Sequence, residues 1–319
     1  MKSSLAPDDR MHAFRSILVD VDATASAQPA LERAARIART CGARLRVVDV
    51  ISAPGEARRN LRADLEDELM TRRREQLARI AYRVRDVPVD TAVLAGLPAE
   101  ALIQDVLRFG HDLLVRSHAR DAVGRGPAPF RTVDAQLIRH CPCPVWALGP
   151  GAAPEQPTVL GAVDAAAEDP IKQKLNAKVI ELALLLTHVQ DGSLVLLQAW
   201  EPFAERRVQN HVSDDDFSAY LESTRSRIKQ DLRSLVDLFG DRLAGVQFEL
   251  RRGGIEDVLP AFAVSEGIDT VVMGTRGRTG ISRRLVGNTA ERLLDRLPCS
   301  LVAVKSDDFR SPVQLNESL

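Results

Sequence analysis

Short apolar runs alternate along this chain with longer stretches of mixed character, and the whole alternation is written twice. Ile17-Leu18-Val19-Asp20-Val21-Asp22 opens the first series. Leu45-Arg46-Val47-Val48-Asp49-Val50-Ile51, Val89 to Leu94, His111-Asp112-Leu113-Leu114-Val115 and Pro142-Cys143-Pro144-Val145-Trp146 complete it. The second series runs Val159-Leu160-Gly161-Ala162-Val163-Asp164, Leu194-Val195-Leu196-Leu197-Gln198-Ala199-Trp200, Val246 to Leu250, Ile268-Asp269-Thr270-Val271-Val272 and Pro298-Cys299-Ser300-Leu301-Val302. Most of these runs are apolar nearly throughout, which suits parallel strands buried on both faces.

The intervening stretches read as helices. Pro29 to Thr40 begins with a proline and stops at Gly42, and Pro170 to Val189 is its counterpart. A long charged stretch follows the second strand of each half. In the second half Phe217, Leu221, Ile228, Leu232, Leu235 and Phe239 fall on one stripe of helical spacing. Gly96-Leu97-Pro98-Ala99-Glu100 and Gly253-Gly254-Ile255-Glu256-Asp257 each open a third helix. Strands alternating with helices in this way predict an α/β fold of two tandem doubly wound domains, each with a five-stranded parallel sheet. Right-handed crossovers place helices on both faces. The predicted domains are 14–149 and 157–306, joined by the Pro- and Gly-rich Gly149-Pro150-Gly151-Ala152-Ala153-Pro154-Glu155-Gln156-Pro157.

Composition narrows the function. Aromatic content is only 4%, so the cores are built from Ala, Val, Leu and Ile, which again favours α/β over a β-sandwich. A net charge of −1 gives no electrostatic case for nucleic acid. The N-terminus lacks the apolar core of a signal peptide, and the longest apolar stretch, around Val179 to Val189, carries Glu181 and His188 and is too short to span a bilayer. The expectation is a cytoplasmic protein with no membrane span. Cys41, Cys141, Cys143 and Cys299 form no CxxC or Cys/His metal spacing and read as small buried residues.

The candidate chemistry lies near the C-terminus. Gly274-Thr275-Arg276-Gly277 follows the apolar run Thr270-Val271-Val272-Met273, and after nine residues comes Gly287-Asn288-Thr289, which leads into the helical Ala290-Glu291-Arg292-Leu293-Leu294. Glycines at a strand-to-helix turn let backbone N–H groups approach an anion without Cβ interference, and a helix start adds unpaired donors. The arrangement suits a phosphate, most simply that of a nucleotide.

Those residues resemble the universal stress protein family, whose nucleotide loop is Gly-x2-Gly-x9-Gly-Ser/Thr after the fourth strand. Gly274, Gly277 and Gly287 match it; Asn288 stands where Ser or Thr is usual, with Thr289 next. The resemblance covers nearly the whole chain. It implies the fold shared with adenine nucleotide alpha hydrolases, ATP or a related adenine nucleotide as ligand, a stress-survival role and no robust catalysis. It also implies dimer-like packing through the fifth strands, which a tandem chain can satisfy internally as a pseudo-dimer, with a further homodimer left open. By resemblance, Gly277, Gly287, Asn288 and Thr289 face the phosphates. Asp164 lies beside the nucleoside and can help hold a divalent ion such as Mg²⁺, and Ala199 and Met273 lie near the adenine. Each has a plainer reading: Asp164 as a cap or turn residue, Ala199 and Met273 as core. Arg276, Arg278, Arg283 and Arg284 either screen phosphate charge or form a solvated basic patch.

The first half departs from the pattern. Ser117, Arg120 and Arg131 replace the three glycines, and Pro127 and Pro129 remove donors, so no ATP is expected there although Asp22 is kept. Its pocket is then vestigial or reshaped for another ligand, such as an apolar metabolite. His118 and His140 lack a partner at a known catalytic spacing. Arg72-Arg73-Arg74-Glu75 lies among acidic residues and reads as a solvated face with i,i+4 pairs. No lysine follows Gly287 in the manner of a phosphate-loop hydrolase, which leaves weak ATP hydrolysis as the enzymatic alternative.

Overall fold

The computed structural model describes residues 14–51, 63–117, 132–149, 154–165, 169–202, 211–275, 293–294 and 296–315. The first half contains β1 (Ser16–Asp20), α1 (Pro29–Cys41), β2 (Arg44–Ile51), α2 (Ala63–Ala81), β3 (Val89–Ala95), α3 (Pro98–Phe109), β4 (Leu113–Ser117), α4 (Thr132–His140) and β5 (Val145–Leu148). The second contains β6 (Thr158–Ala162), α5 (Pro170–Gln190), β7 (Ser193–Trp200), α6 (Asp214–Asp237), a 3-10 turn (Gly240–Leu243), β8 (Gln247–Arg252), α7 (Ile255–Ser265), β9 (Thr270–Gly274) and β10 (Ser300–Val304).

The helix punctuation works as the sequence implies. Pro29 sits in the first turn of α1, and Gly42 ends it at φ 68° with its N–H on Ala38 O. Asp169 caps α5 by accepting from Ile171 N, and Ser213 caps α6 by accepting from Asp216 N. Phe217, Ile228, Leu232 and Leu235 of the α6 stripe are buried; Phe239 is buried too but lies beyond the end of the helix.

All ten strands form one sheet in the order β3-β2-β1-β4-β5-β10-β9-β6-β7-β8. Neighbours are parallel except β5 and β10, which pair antiparallel with Leu301 opposite Ala147, Val302 opposite Trp146 and Ala303 opposite Val145. The two predicted five-stranded sheets are thus joined at their fifth strands, whose edges are consumed within the chain. Two apolar layers cover the sheet, and each draws residues from both halves.

Polar contacts fix this seam. Arg33 of α1 makes a bidentate pair with Asp269, both contacts at 2.8 Å, and its guanidinium lies 5.4 Å from the centre of the buried Trp146 ring. Gly149, just past β5, donates to Ser300 Oγ, and a Cβ there would lie 2.7 Å from the main-chain carbon of Cys299. Only glycine lets the chain leave β5 so close to the start of β10.

Candidate functional site

In the second half the strand order reverses between β6 and β9, where Ala162 pairs with Met273. A crevice for a ligand is expected beyond the carboxyl ends of strands at such a switch point. Asp164 lies two residues past β6, Ala199 sits near the end of β7, and Met273 and Gly274 end β9. The fold therefore gathers these four candidates along one sheet edge.

The turn bearing Asp164 is held by two buried side chains. Asp164 N donates to Asn176 Oδ1 at 3.1 Å, Asn176 Nδ2 donates back to Asp164 O at 2.8 Å, and Ala165 N donates to Gln198 Oε1 at 3.1 Å. Its carboxylate is 49% exposed, with Lys172 Nζ 3.9 Å away. The helix that follows is capped by Asp169, so Asp164 is not its cap. Gly274 permits close helix packing, because a Cβ there would lie 2.6 Å from Leu175 Cδ2. Thr275 anchors the exit from β9 through its N–H and its hydroxyl, both donated to Val304 O. Met273 is buried in the core, while Ala199 is half-buried beside Arg251 of β8. Asn176 and Gln198 were not singled out from the sequence; their signal is a polar residue at a position where the helix and strand periodicities call for an apolar one. Arg276, Gly277, Arg278, Arg283, Arg284, Gly287, Asn288 and Thr289 lie outside the described residues.

The equivalent edge of the first half is built from charge. By strand register Asp20 takes the place of Ala162, Asp49 that of Gln198, Arg116 that of Met273 and Ser117 that of Gly274. Arg116 Nε lies 2.9 Å from Asp134 Oδ1, and Nη1 lies 3.5 Å from Asp20 Oδ2. The side chains of Arg116, Asp20 and Asp134 are 11%, 14% and 1% exposed. The Arg116 contacts lack hydrogen-bond alignment, so charge rather than directed donors holds the cluster. Burial pushes the Asp20 carboxyl up to about 6 against the pull of Arg116, with Asp49, Asp134 and Asp22 adding to the rise.

Arg73 of α2 makes a second pair of contacts there, 3.1 Å from Asp49 and 3.5 Å from Asp22. Burial raises Asp49 despite Arg73. For Asp22 burial acts in the same direction, but hydrogen bonds from the Thr24 hydroxyl and amide, together with Arg73, outweigh it and lower its pKa. The expectation of a solvated Arg72–Glu75 face is corrected in part. Arg72 pairs with Glu68 and Arg79 with Glu75 at i,i+4 spacing, but Arg73 turns toward the strand ends. Asp20, Asp49 and Arg116 each interrupt an apolar run at a position where the other half is uncharged, a signal visible on comparing the halves.

His140 is the last residue of α4; His118, Arg120 and Arg131 lie outside the described residues. Cys141, Cys143 and Cys299 are buried, Cys41 is half-buried, and the Cys141 and Cys143 sulfurs lie 3.5 Å apart. Among the described residues no group of three or more His, Cys, Asp or Glu is placed to hold a metal ion, and no helix is long and apolar enough to cross a membrane.

Comparison with known proteins agrees with this fold. The model of the Universal stress protein family matches twice, over residues 13–148 and 159–305. Universal stress protein E of Escherichia coli K12 is 29% identical over 321 residues, covering 96% of this chain and 99% of that protein. Universal stress protein E of Photorhabdus laumondii is 29% identical over 314 residues, covering 95% and 99%. Among solved structures, a functionally unknown protein from Pseudomonas aeruginosa PAO1 superposes with a TM-score of 0.68 at 24% identity, over 95% of this chain and 96% of that one. A universal stress protein from Archaeoglobus fulgidus gives 0.59 at 16% identity, over 91% and 98%.

Proposed function

Because this chain belongs to the universal stress protein family, carrying its domain twice, we propose that its second domain (157–306) binds ATP or a related adenine nucleotide and that its first (14–149) does not. The protein then acts as a cytoplasmic nucleotide-binding stress protein without robust catalysis. One observation carries the proposal: the contrast between the two switch points. In the second half the strand ends are uncharged (Ala162, Ala199, Gly274), with the half-exposed Asp164 beside them. In the first half the same edge holds Arg116 and Arg73 among Asp20, Asp22, Asp49 and Asp134. A triphosphate entering there would meet four carboxylates and displace ion pairs already made, and like-charge repulsion opposes it.

In this reading Asp164 lies at the nucleoside and, being half-exposed, reaches a Mg²⁺ ion through water. Bound Mg²⁺ would neutralise part of the phosphate charge. Ala199 lies against the base, with Met273 supporting it from the core. Gly274 sets the start of the loop, and Gly277, Arg278, Gly287, Asn288 and Thr289 take the phosphates. Calorimetry with ATP and Mg²⁺ is expected to give one site per chain, abolished by Gly277→Val. Two equal sites, or none, would refute it. Rapid phosphate release that disappears in Asp164→Ala would instead make the protein a hydrolase.

A further inference from the structure

A cavity of about 450 Å³ lies where the two halves meet, between the start of β5, the outer face of α5 and the segment after β10. None of the nucleotide-site candidates lines it. Its walls mix apolar side chains, among them Phe14, Pro144, Leu182, Leu185 and Phe309, with charged ones. Lys305 also lines it, although only 5% of that residue is exposed. Lys305 Nζ donates to the carbonyls of Ile138 and Arg139 in the last turn of α4, and it lies 4.5 Å from the centre of the Phe309 ring. The second half thus caps a helix of the first.

The charges around the cavity are not equally satisfied. Lys178 pairs with Asp307. Asp112 accepts from Arg15 N at 2.7 Å and Ser16 N at 3.1 Å, and Glu181 has a partner of its own. Arg310 Nη1 donates to Asp307 O at 3.1 Å and Phe309 O at 3.0 Å. Among the described residues, the partners of Lys305 and Arg310 are neutral: backbone oxygens and, for Lys305, an aromatic ring. A buried ammonium without a counter-charge is unfavourable, and the Lys305 amine is accordingly lowered to about 7, chiefly by burial, with Cys141 opposing and Arg139 reinforcing the shift. By the registers of β5 on β4 and of β10 on β9, Gly149 stands at the equivalent position of the other half and carries no side chain, so among the described residues this cation has no counterpart there.

We propose that this cavity binds a small amphipathic organic anion: its carboxylate or sulfonate is received by Lys305 and Arg310, and its apolar body lies against the Phe14, Leu182 and Phe309 wall. An anion supplies the charge the protein leaves out, and the apolar walls add affinity in proportion to the area they bury. Binding requires the ammonium, so affinity falls as Lys305 loses its proton.

The test is a fluorescence titration of the full chain with 1-anilinonaphthalene-8-sulfonate in saturating ATP and Mg²⁺, at pH 6 and pH 8.5. The expected result is one site per chain, with affinity about 10- to 30-fold weaker at pH 8.5. Lys305→Met is expected to weaken binding at least tenfold at pH 6 and to remove the pH dependence. Leu185→Trp, which fills the cavity without touching the cation, is expected to block the probe. The proposal is overturned if the native chain does not bind the probe, if its affinity is flat between the two pH values, or if either variant, shown to be folded by circular dichroism, binds as the native chain does. Failure of the nucleotide proposal would show separately in the ATP calorimetry.

Discussion

Replacing Arg116 by Met, the residue at the matching position of the second half, would put Asp20 and Asp134 at the end of β4 without their guanidinium. The pair contacts are 2.9 and 3.5 Å, and all three side chains are nearly buried. Removing one partner of such a group destabilises by about 3–5 kcal/mol, most of it from the charge left behind. The loss depends on pH, and its sign follows from Asp20. Its folded pKa of about 6 lies above the usual carboxylate value, so the folded state holds the proton more tightly than the unfolded one. Stability from this group is greatest at low pH and is lost as pH rises through 6. Without Arg116, which lowers the Asp20 pKa, that value climbs further. Arg116→Met is therefore expected to lose about 3–5 kcal/mol at pH 8 and about 1–2 kcal/mol less than that at pH 5, where Asp20 is protonated. In urea, with a slope of about 3 kcal/mol per M, the first unfolding midpoint moves down by about 1–1.7 M at pH 8. Adding Asp20→Ala, again the second-half residue, should recover at least about half of that loss. Equal losses at both pH values, or less than about 1 kcal/mol at each, would refute the view that desolvated charge organises this edge.

Other outcomes follow from the same geometry. The Lys305 ammonium is disfavoured in the folded chain up to about pH 7, whereas an unfolded lysine keeps its proton to about 10.5. Native stability should thus rise relative to Lys305→Met by about 2–3 kcal/mol between pH 6 and pH 9, as read from denaturation midpoints. Arg33→Met breaks the bidentate contact with Asp269 across the seam and should lower stability by about 3–5 kcal/mol; a fall in melting temperature under 3 °C would argue that this pair does little to hold the halves together. Asn176→Ala leaves Asp164 N without its acceptor, so a loss of about 1–3 kcal/mol is expected in stability, with weaker ATP binding by calorimetry.

Much of the fold was legible because it is encoded locally. Apolar runs, proline starts and glycine stops set ten strands, their order and the helices between them, and each of those signals depends on residues a few positions apart. The repeat then implied that the two halves share one plan. The Gly274–Thr289 spacing also stands out in the sequence, since a glycine loop is a contiguous motif, and of it only Gly274 and Thr275 lie among the described residues. Ser117 likewise marked the first half as different.

Tertiary structure decided where the charges point and what the strand edges meet. Arg73 looked like one member of a basic run, and only the packing of α2 over β2 turns it toward Asp49. Arg116 follows an apolar run in sequence, and only the apposition of α4 and β1 supplies Asp134 and Asp20. Lys305 merely follows the last apolar run in sequence, yet the antiparallel pairing of β5 with β10 carries it to the end of α4. The energy of a buried charge depends on neighbours distant in sequence, as far as 167 residues for Lys305, and no periodicity records them. The sequence alone determined the strands, helices and loop spacing of each half; packing within the first half settled the charge at its sheet edge, and the meeting of the two halves formed the cavity at their seam.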